Sequence, residues 1–358
     1  MERYGLIMAG GGGTRFWPLS RQRRPKQLLN LTGRDLMINE TFDRMARVID
    51  PEHIYIVTSA LQADALLAAC GGRIRRERIL TEPEGRNTAA CIGYGAAYLQ
   101  ALHGNCVMLI TPSDHYIRDT GSLCAVWETA LNCAQDSDRL LTIGIQPTWP
   151  ATGYGYIRYD TESAAPVRTV YEFKEKPDAA TAGRYLDSGG YAWNSGMFVW
   201  RSDVILAQLA RHAPDIARGL AEIRSAVGTP AEAETLRRVY PSLRAISMDY
   251  AVMEPAAAAG DVMLVPGCFG WNDVGSWDMM PVLHAPDGEG NVLLGDVAAQ
   301  DSRNCVVYAS GRTVALLGVE GLAVVETPDA VLVCARDRAQ EVRKIVDRLA
   351  AEGRSALL

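Results

Sequence analysis

The chain has 358 residues, with 36 Lys and Arg against 42 Asp and Glu, a formal net charge of −6 and 48% hydrophobic residues. That length suits one large or two modest domains with real cores, and the acidic balance argues against nucleic acid or a membrane surface as a partner of the whole molecule. No apolar run approaches the ~20 residues that span a bilayer, no long apolar stretch follows a basic N-terminus, and a cytoplasmic location is expected.

In chain order, residues 4–9, 54–58, 107–111 and 140–144 are short apolar runs that read as buried strands. Helical patterns near 35–48, 60–70, 87–103 and 121–134 separate them. This alternation predicts an α/β fold, a mostly parallel sheet covered by helices on both faces. In such sheets, ligands dock beyond the carboxyl ends of the strands. From 150 to 285 the texture turns aromatic and glycine-rich. Residues 154–159, 167–175 and 197–200 suggest antiparallel strands, and one long helical zone is expected near 202–239. The Pro/Gly/Asp-rich stretch 286–291 is the best boundary signal, dividing the chain into 1–286 and 287–358. Beyond it, runs punctuated by Gly295, Gly311, Gly318 and Gly321 read as a small β unit. Ala339, Val342, Ile345, Val346 and Leu349 form the stripe of a closing helix. The eight cysteines contain no CxxC, and buried reduced thiols are expected rather than disulfides or a zinc site.

Chemistry concentrates after the first run. Gly10, Gly11, Gly12 and Gly13 precede Thr14 and Arg15, with no lysine until Lys26. A P-loop would need Lys directly after the glycines, and a dinucleotide fingerprint would need glycine where Arg15 or Phe16 stands. What remains is a run of backbone amides able to approach phosphates closely, with Arg15 and Lys26 as charge. A tight turn with solvated cations is the structural alternative. Residues 3–34 hold seven cations and no acid, leaving 29 cations against 42 acids elsewhere. The segment is a local attractor for a small polyanion such as a nucleotide. Only four lysines occur, at 26, 174, 176 and 344, against 32 arginines. They mark either places that require a compact ammonium or chance survivors.

The stretch GGGTRFWP at 11–18, followed by Pro25 and Lys26, resembles the opening signature of the sugar-1-phosphate nucleotidylyltransferases. Its form FWPLS at 16–20 with PKQ at 25–27 is similar to the mannose-1-phosphate guanylyltransferase branch. Further segments resemble that branch in the same order: EPEGRNTA at 82–89, TPSDH at 111–115, YGY at 154–156, FKEKP at 173–177, WNSGMF at 193–198, MDYAVME at 248–254 and GWNDVGSW at 270–277. The resemblance implies a Rossmann-like mixed sheet in a GT-A-like nucleotidyltransferase core. For the C-terminal unit, a left-handed β-helix is one arrangement.

By the same resemblance, Ala9, Gly10, Gly11, Gly12, Gly13, Thr14, Arg15, Lys26, Gly85, Asn87 and Thr88 would bind the nucleotide. Gly155, Glu175, Lys176 and Asn194 would bind the sugar phosphate, and Asp114 and Asp273 would hold Mg2+. Arg15, Lys26, Asp114, Lys176 and Asp273 would carry catalysis. Structural alternatives stand beside these roles: Asn87 and Thr88 as caps of the following helix, Asp273 as a turn-forming residue, His115 as a hydrogen-bonded structural group.

The implied reaction transfers GMP from GTP to α-D-mannose 1-phosphate, giving GDP-mannose and pyrophosphate. A different nucleotide or sugar, such as a glucose or heptose 1-phosphate, is the alternative within the family. A non-catalytic sugar-nucleotide-binding homologue is the alternative outside it. Some members of the branch append an isomerase domain; this chain ends soon after the 286–291 boundary, so no phosphomannose isomerase activity is expected. A homodimer through the C-terminal unit is a further expectation.

Overall fold

The computed structural model describes residues 1–358. Its strands are β1 (Arg3–Met8), β2 (Ile54–Ser59), β3 (Ile79–Glu82), β4 (Val107–Pro112), β5 (Tyr116–Ile117), β6 (Leu140–Ile145), β7 (Tyr156–Tyr159), β8 (Arg168–Lys174), β9 (Tyr191–Arg201), β10 (Val262–Gly267) and β11 (Trp271–Asn272). The helices among them are α1 (Met37–Met45), α2 (Ala63–Ala69), α3 (Asn87–His103), α4 (Thr120–Gln135), α5 (Ala179–Ser188), α6 (Ser202–His212), α7 (Pro214–Ala226), α8 (Glu232–Val239), α9 (Glu254–Ala258) and α10 (Met280–Leu283).

Nine strands form one mixed sheet in the order β3-β2-β1-β4-β9-β6-β10-β8-β7. The pairs β3–β2, β2–β1, β1–β4 and β6–β10 are parallel, whereas β9 runs antiparallel between β4 and β6. Two large apolar clusters cover the faces. One gathers α3, α6 and α7, the other α1, α2 and α4. Strand order reverses at β1, which has β2 on one side and β4 on the other, so the crevice between the carboxyl ends of β1 and β4 is the topological switch point.

Three expectations change. The helical zone near 202–239 is three helices, broken where Pro214 starts α7 after Ala213 and where Gly228 takes a positive φ. The strands β3 and β10 were not expected: the first is four residues behind an arginine-rich turn, and the second carries Pro266, which disguises a strand even between two paired neighbours. The thiols are free, yet only four of the eight are buried and Cys268 is exposed.

The C-terminal unit contains β12 (Val292–Leu294), β13 (Val297–Gln300), β14 (Val306–Ala309), β15 (Val314–Leu317), β16 (Leu322–Thr327), β17 (Ala330–Ala335) and α11 (Val342–Ala351). Parallel pairing of β12 with β14 and β14 with β16 makes one face of a coil, and β13 with β15 makes a second. This is a β-helix, finished by antiparallel β17 and α11. In the closing stripe Ala339, Val342 and Leu349 are buried, but Ile345 lies exposed. The unit packs on the rest through one shared core in which Phe16, Trp17, Leu19, Val274 and Trp277 meet Val306, Val325, Val342 and Leu349.

Candidate active site

The glycine loop leaves the end of β1 at the switch point. Its start is pinned by Ala9: the backbone N–H donates to Val57 O at 2.8 Å, and the carbonyl accepts from Thr58 Oγ1 and from buried Gln27 Nε2. Gly10, Gly11 and Gly12 are exposed. Gly13 has φ of 58°, and a Cβ there would lie 2.4 Å from Lys26 Cβ, so only glycine lets the two segments touch. Ser20 Oγ donates to Gly13 O at 2.7 Å and closes the turn. Thr14 and Arg15 then begin a short 3-10 turn whose Phe16 is buried in the shared core.

Lys26 is buried, and its Nζ lies 3.0 Å from Asp114 Oδ2 while donating to Asp273 O at 2.5 Å. One ammonium therefore joins the segments that follow β4 and β11. Burial pushes the Asp114 carboxyl up, but the Lys26 ammonium and smaller neighbouring contributions together outweigh it, and the net effect is a lowered pKa. The loop carrying Asp114 is braced from α1: Thr41 Oγ1 donates to Ser113 O at 3.1 Å, and buried Arg44 to His115 O at 3.0 Å. His115 accepts from Trp271 Nε1 on Nδ1 at 3.1 Å, and burial pushes it down to about 4, so it is a neutral structural group.

Asp273 follows β11. Asn272, not Asp273, forms the turn, its Oδ1 accepting from Val274 N at 2.7 Å. Val274 has φ of 45°, a strained position for a buried β-branched residue. The Asp273 Oδ1 accepts from Tyr154 OH at 2.8 Å. Arg15 is exposed and adjacent: a Cβ on Gly275 would stand 3.2 Å from Arg15 Nη1 and 3.3 Å from Asp273 Oδ2. Arg15 Nη1 donates to Gln340 Oε1 of the C-terminal unit at 3.2 Å.

Nowhere do three or more His, Cys, Asp or Glu side chains converge as a metal cluster. Asp114 and Asp273 are instead two hard carboxylates at the switch point, and one ammonium meets the carboxylate of the first and the backbone carbonyl of the second. That donor set fits Mg2+, which binds through one or two carboxylates and takes phosphate oxygens and water for the rest.

A second group lies beyond Tyr154. Gly155 is buried, and a Cβ there would stand 2.6 Å from Glu175 Oε2 and 3.3 Å from Asn194 Cβ. β8 ends at Lys174, Glu175 follows, and Lys176 turns at φ of 46° before Pro177. The Lys176 Nζ lies 2.9 Å from Glu175 Oε1 in an exposed position. Asn194 Nδ2 donates to Asp249 Oδ1 at 3.0 Å. Burial, then the Glu175 carboxylate, pushes Asp249 up to about 6.

The start of α3 completes the arrangement, and the alternative of Asn87 and Thr88 as helix caps does not hold there. The helix has no side-chain cap; Asn87 Oδ1 accepts from Thr88 N, and Thr88 Oγ1 accepts from Met248 N at 2.8 Å. Thr88 thus ties α3 to the segment that carries Asp249. Gly85 is exposed just ahead of it.

Three groups escaped the sequence reading of individual residues, although all stand inside quoted motifs: Tyr154, Asp249 and Glu82. Glu82 is buried at the end of β3, its Oε1 accepts from Tyr240 OH, its Oε2 lies 3.1 Å from where a Cβ on Gly10 would be, and burial raises its pKa. A buried acid at a strand's carboxyl end is the signal that pointed to it.

The nucleotidyl transferase family model matches residues 4–285, and the MannoseP isomerase/GMP-like beta-helix domain model matches 295–349. The alginate biosynthesis protein AlgA of Pseudomonas aeruginosa is 39% identical over 361 residues, covering 98% of this chain and 73% of its own. A mannose-1-phosphate guanylyltransferase of Escherichia coli is 38% identical, covering 96% and 73%. The crystal structure of a mannose-1-phosphate geranyltransferase from Thermus thermophilus superposes with a TM-score of 0.88 at 36% identity, over 98% of this chain and 100% of that one.

Proposed function

The chain belongs to the nucleotidyl transferase family, and on that premise we propose that it transfers GMP from GTP to α-D-mannose 1-phosphate, giving GDP-mannose and pyrophosphate. The observation that carries the reading is a two-part site. A glycine loop with two aspartates at the switch point suits a triphosphate, and the Gly155, Glu175, Asn194 and Asp249 group beside it suits a sugar.

A non-bridging oxygen of the sugar phosphate attacks the α-phosphorus of GTP in line, and the bond to the bridging oxygen of pyrophosphate breaks. The protein's task is to hold two polyanions in contact against their repulsion. Amides of Gly10, Gly11, Gly12, Gly13 and Thr14 receive the triphosphate, with Ala9 as the fixed root of the loop. Arg15, which has no carboxylate partner, takes phosphate oxygens. Lys26 orients Asp114 and Asp273, the residues that would hold Mg2+. When bound, Mg2+ neutralises charge on the reacting phosphates. Gly85, Asn87 and Thr88 border the nucleoside. Lys176 neutralises the sugar phosphate, Glu175 and Asn194 bind its hydroxyls, and the missing side chain of Gly155 leaves them room. The attacking phosphate is already anionic, so no general base is required, in keeping with a neutral, internally bonded His115.

We assign residues 1–286 to the catalytic unit and 287–358 to the C-terminal one. Self-association is placed on the latter, where exposed Val331, Val333 and Ile345 lie around a groove of about 660 Å3. No helix is long and apolar enough to cross a membrane, and we place the reaction in the cytoplasm.

Pyrophosphate release on mixing the protein with GTP, mannose 1-phosphate and Mg2+ tests the activity. Absence of turnover across a panel of nucleoside triphosphates and hexose 1-phosphates would sink the enzymatic reading.

A further inference from the structure

Asp273 is the most firmly held residue of the site. Its carbonyl accepts from Lys26 Nζ, the peptide after it is turned by Asn272, and one carboxylate oxygen accepts from Tyr154. Two of these partners come from distant parts of the chain, Lys26 from 247 residues away and Tyr154 from 119. Oδ2 carries no such bond, and the carboxylate and Arg15 Nη1 both lie beside Gly275, where a Cβ would stand 3.3 Å from Oδ2 and 3.2 Å from Nη1.

The donor is itself immobilised. The Tyr154 ring sits edge-on to Trp193 and Trp271 with centroids 5.1 Å away in each case, and to Trp149 at 5.9 Å. Such T-shaped contacts fix the plane of a phenol and so the direction of its O–H. Tyr154 is also bonded through the backbone to Gly155, the residue that admits Glu175 on the sugar side. A side chain touching the metal-side carboxylate and a backbone atom set bordering the sugar pocket are therefore adjacent in sequence.

We propose that Tyr154 is a positioning residue that selects which oxygen and which rotamer Asp273 presents to the divalent cation. The proposal rests on the reading of Asp273 as a metal-holding residue. A carboxylate free to rotate offers either oxygen in many directions. One oxygen tied to a fixed phenol leaves the second in a single direction. Loss of such an outer partner typically costs about 10- to 100-fold in metal affinity.

Tyr154→Phe retains the ring and its aromatic contacts and deletes only the donor. Tyr156→Phe is the control: that phenol, two residues on, is buried with no hydrogen-bond partner, so its loss deletes no contact. The measurements are Mn2+ and Mg2+ titrations of the full chain in the presence of GTP, by calorimetry and by the Mn2+ electron-spin signal, alongside steady-state kinetics. The expected result for Tyr154→Phe is a metal affinity lower by about 10- to 100-fold, a kcat partly rescued by raised Mg2+, and an unchanged melting temperature. Tyr156→Phe should match wild type in all three. In an Asp273→Asn background, Tyr154→Phe should add nothing, because the two act through one carboxylate. Wild-type metal affinity in Tyr154→Phe, or full additivity with Asp273→Asn, overturns the proposal. A wild-type protein that binds Mg2+ and GTP but never turns over a sugar phosphate would refute the activity instead, and leave the metal comparison to be read by itself.

Discussion

Replacing Lys26 by Met removes the ammonium 3.0 Å from Asp114 and the donor to the Asp273 carbonyl. The Lys26 side chain is 6% exposed and that of Asp114 33%. The pair therefore lies between an exposed ion pair, worth up to ~1 kcal/mol, and a buried one, whose rupture from one side costs ~3–5 kcal/mol. A loss of about 2 kcal/mol follows, lowering Tm by about 3 °C for a chain of this size. The catalytic effect is larger, because both aspartates lose the charge that aligns them. Removing one preorganised electrostatic group of this kind costs about 100- to 1,000-fold in kcat. Lys26→Arg keeps the charge but must fit a planar fork where Gly13 already meets the Lys26 backbone, so it should recover part of the Tm and little of kcat. Lys174→Arg and Lys344→Arg supply the contrast: both are exposed and paired only with the surface glutamates Glu172 and Glu341, and both should be silent. Pyrophosphate release at saturating substrates and thermal melts read these outcomes. A Lys26→Met protein with wild-type Tm and kcat would refute the alignment argument, and so would equal losses in Lys344→Arg.

On the sugar side, Gly155→Ala places a methyl 2.6 Å from Glu175 Oε2. It should raise KM for mannose 1-phosphate by about tenfold, a 1.4 kcal/mol effect, with KM for GTP unchanged; an equal rise for both substrates would mean the cleft is not divided as described. Asp249 gives a pH signature. Its carboxyl is pushed from 3.8 up to about 6, so between those values the folded chain keeps a proton that the unfolded chain has released. Its contribution to stability is thus fully present below about pH 4 and declines as pH rises to about 6. Asp249→Asn, which cannot titrate, should gain on wild type by about 2 kcal/mol between pH 4 and 7, and urea midpoints at the two ends of that range check it. Parallel stability curves for the two proteins would contradict the assignment.

Much of this could be read from the chain. The apolar runs of β1, β2, β4 and β6 and the periodicity of α3 and α4 are strong local signals, and the glycine loop after β1 announces an anion site without any partner residue. What escaped is what only packing decides. An antiparallel strand was expected at 197–200, but not that β9 starts at Tyr191 and lies in the middle of the sheet between β4 and β6, because an apolar run does not say which neighbours it will pair with. Tyr154 and Tyr156 look alike in sequence; one phenol meets Asp273 and the other is buried without a partner. Lys26 was legible as a cation but not as the bridge between Asp114 and Asp273, since its contact with Asp273 crosses 247 residues. Asp249 lies in a five-residue π turn, where neither helical nor strand spacing predicts which side chain faces inward.

The core shared by the two units carries a consequence of its own. Phe16 and Trp17, inside the nucleotide signature, and Val274 and Trp277, just past Asp273, are buried against the β-helix and α11. Arg21 reaches the same unit through Asp329, at 2.7 Å, and the Leu357 carbonyl. A cavity opened by truncating Val342 or Leu349 therefore has two ways to relax, and one of them is movement of the loop that receives the triphosphate. Lesions in the C-terminal coil and lesions in nucleotide affinity belong to one phenotype, and the unit that carries no reacting group sets the rigidity of the groups that do.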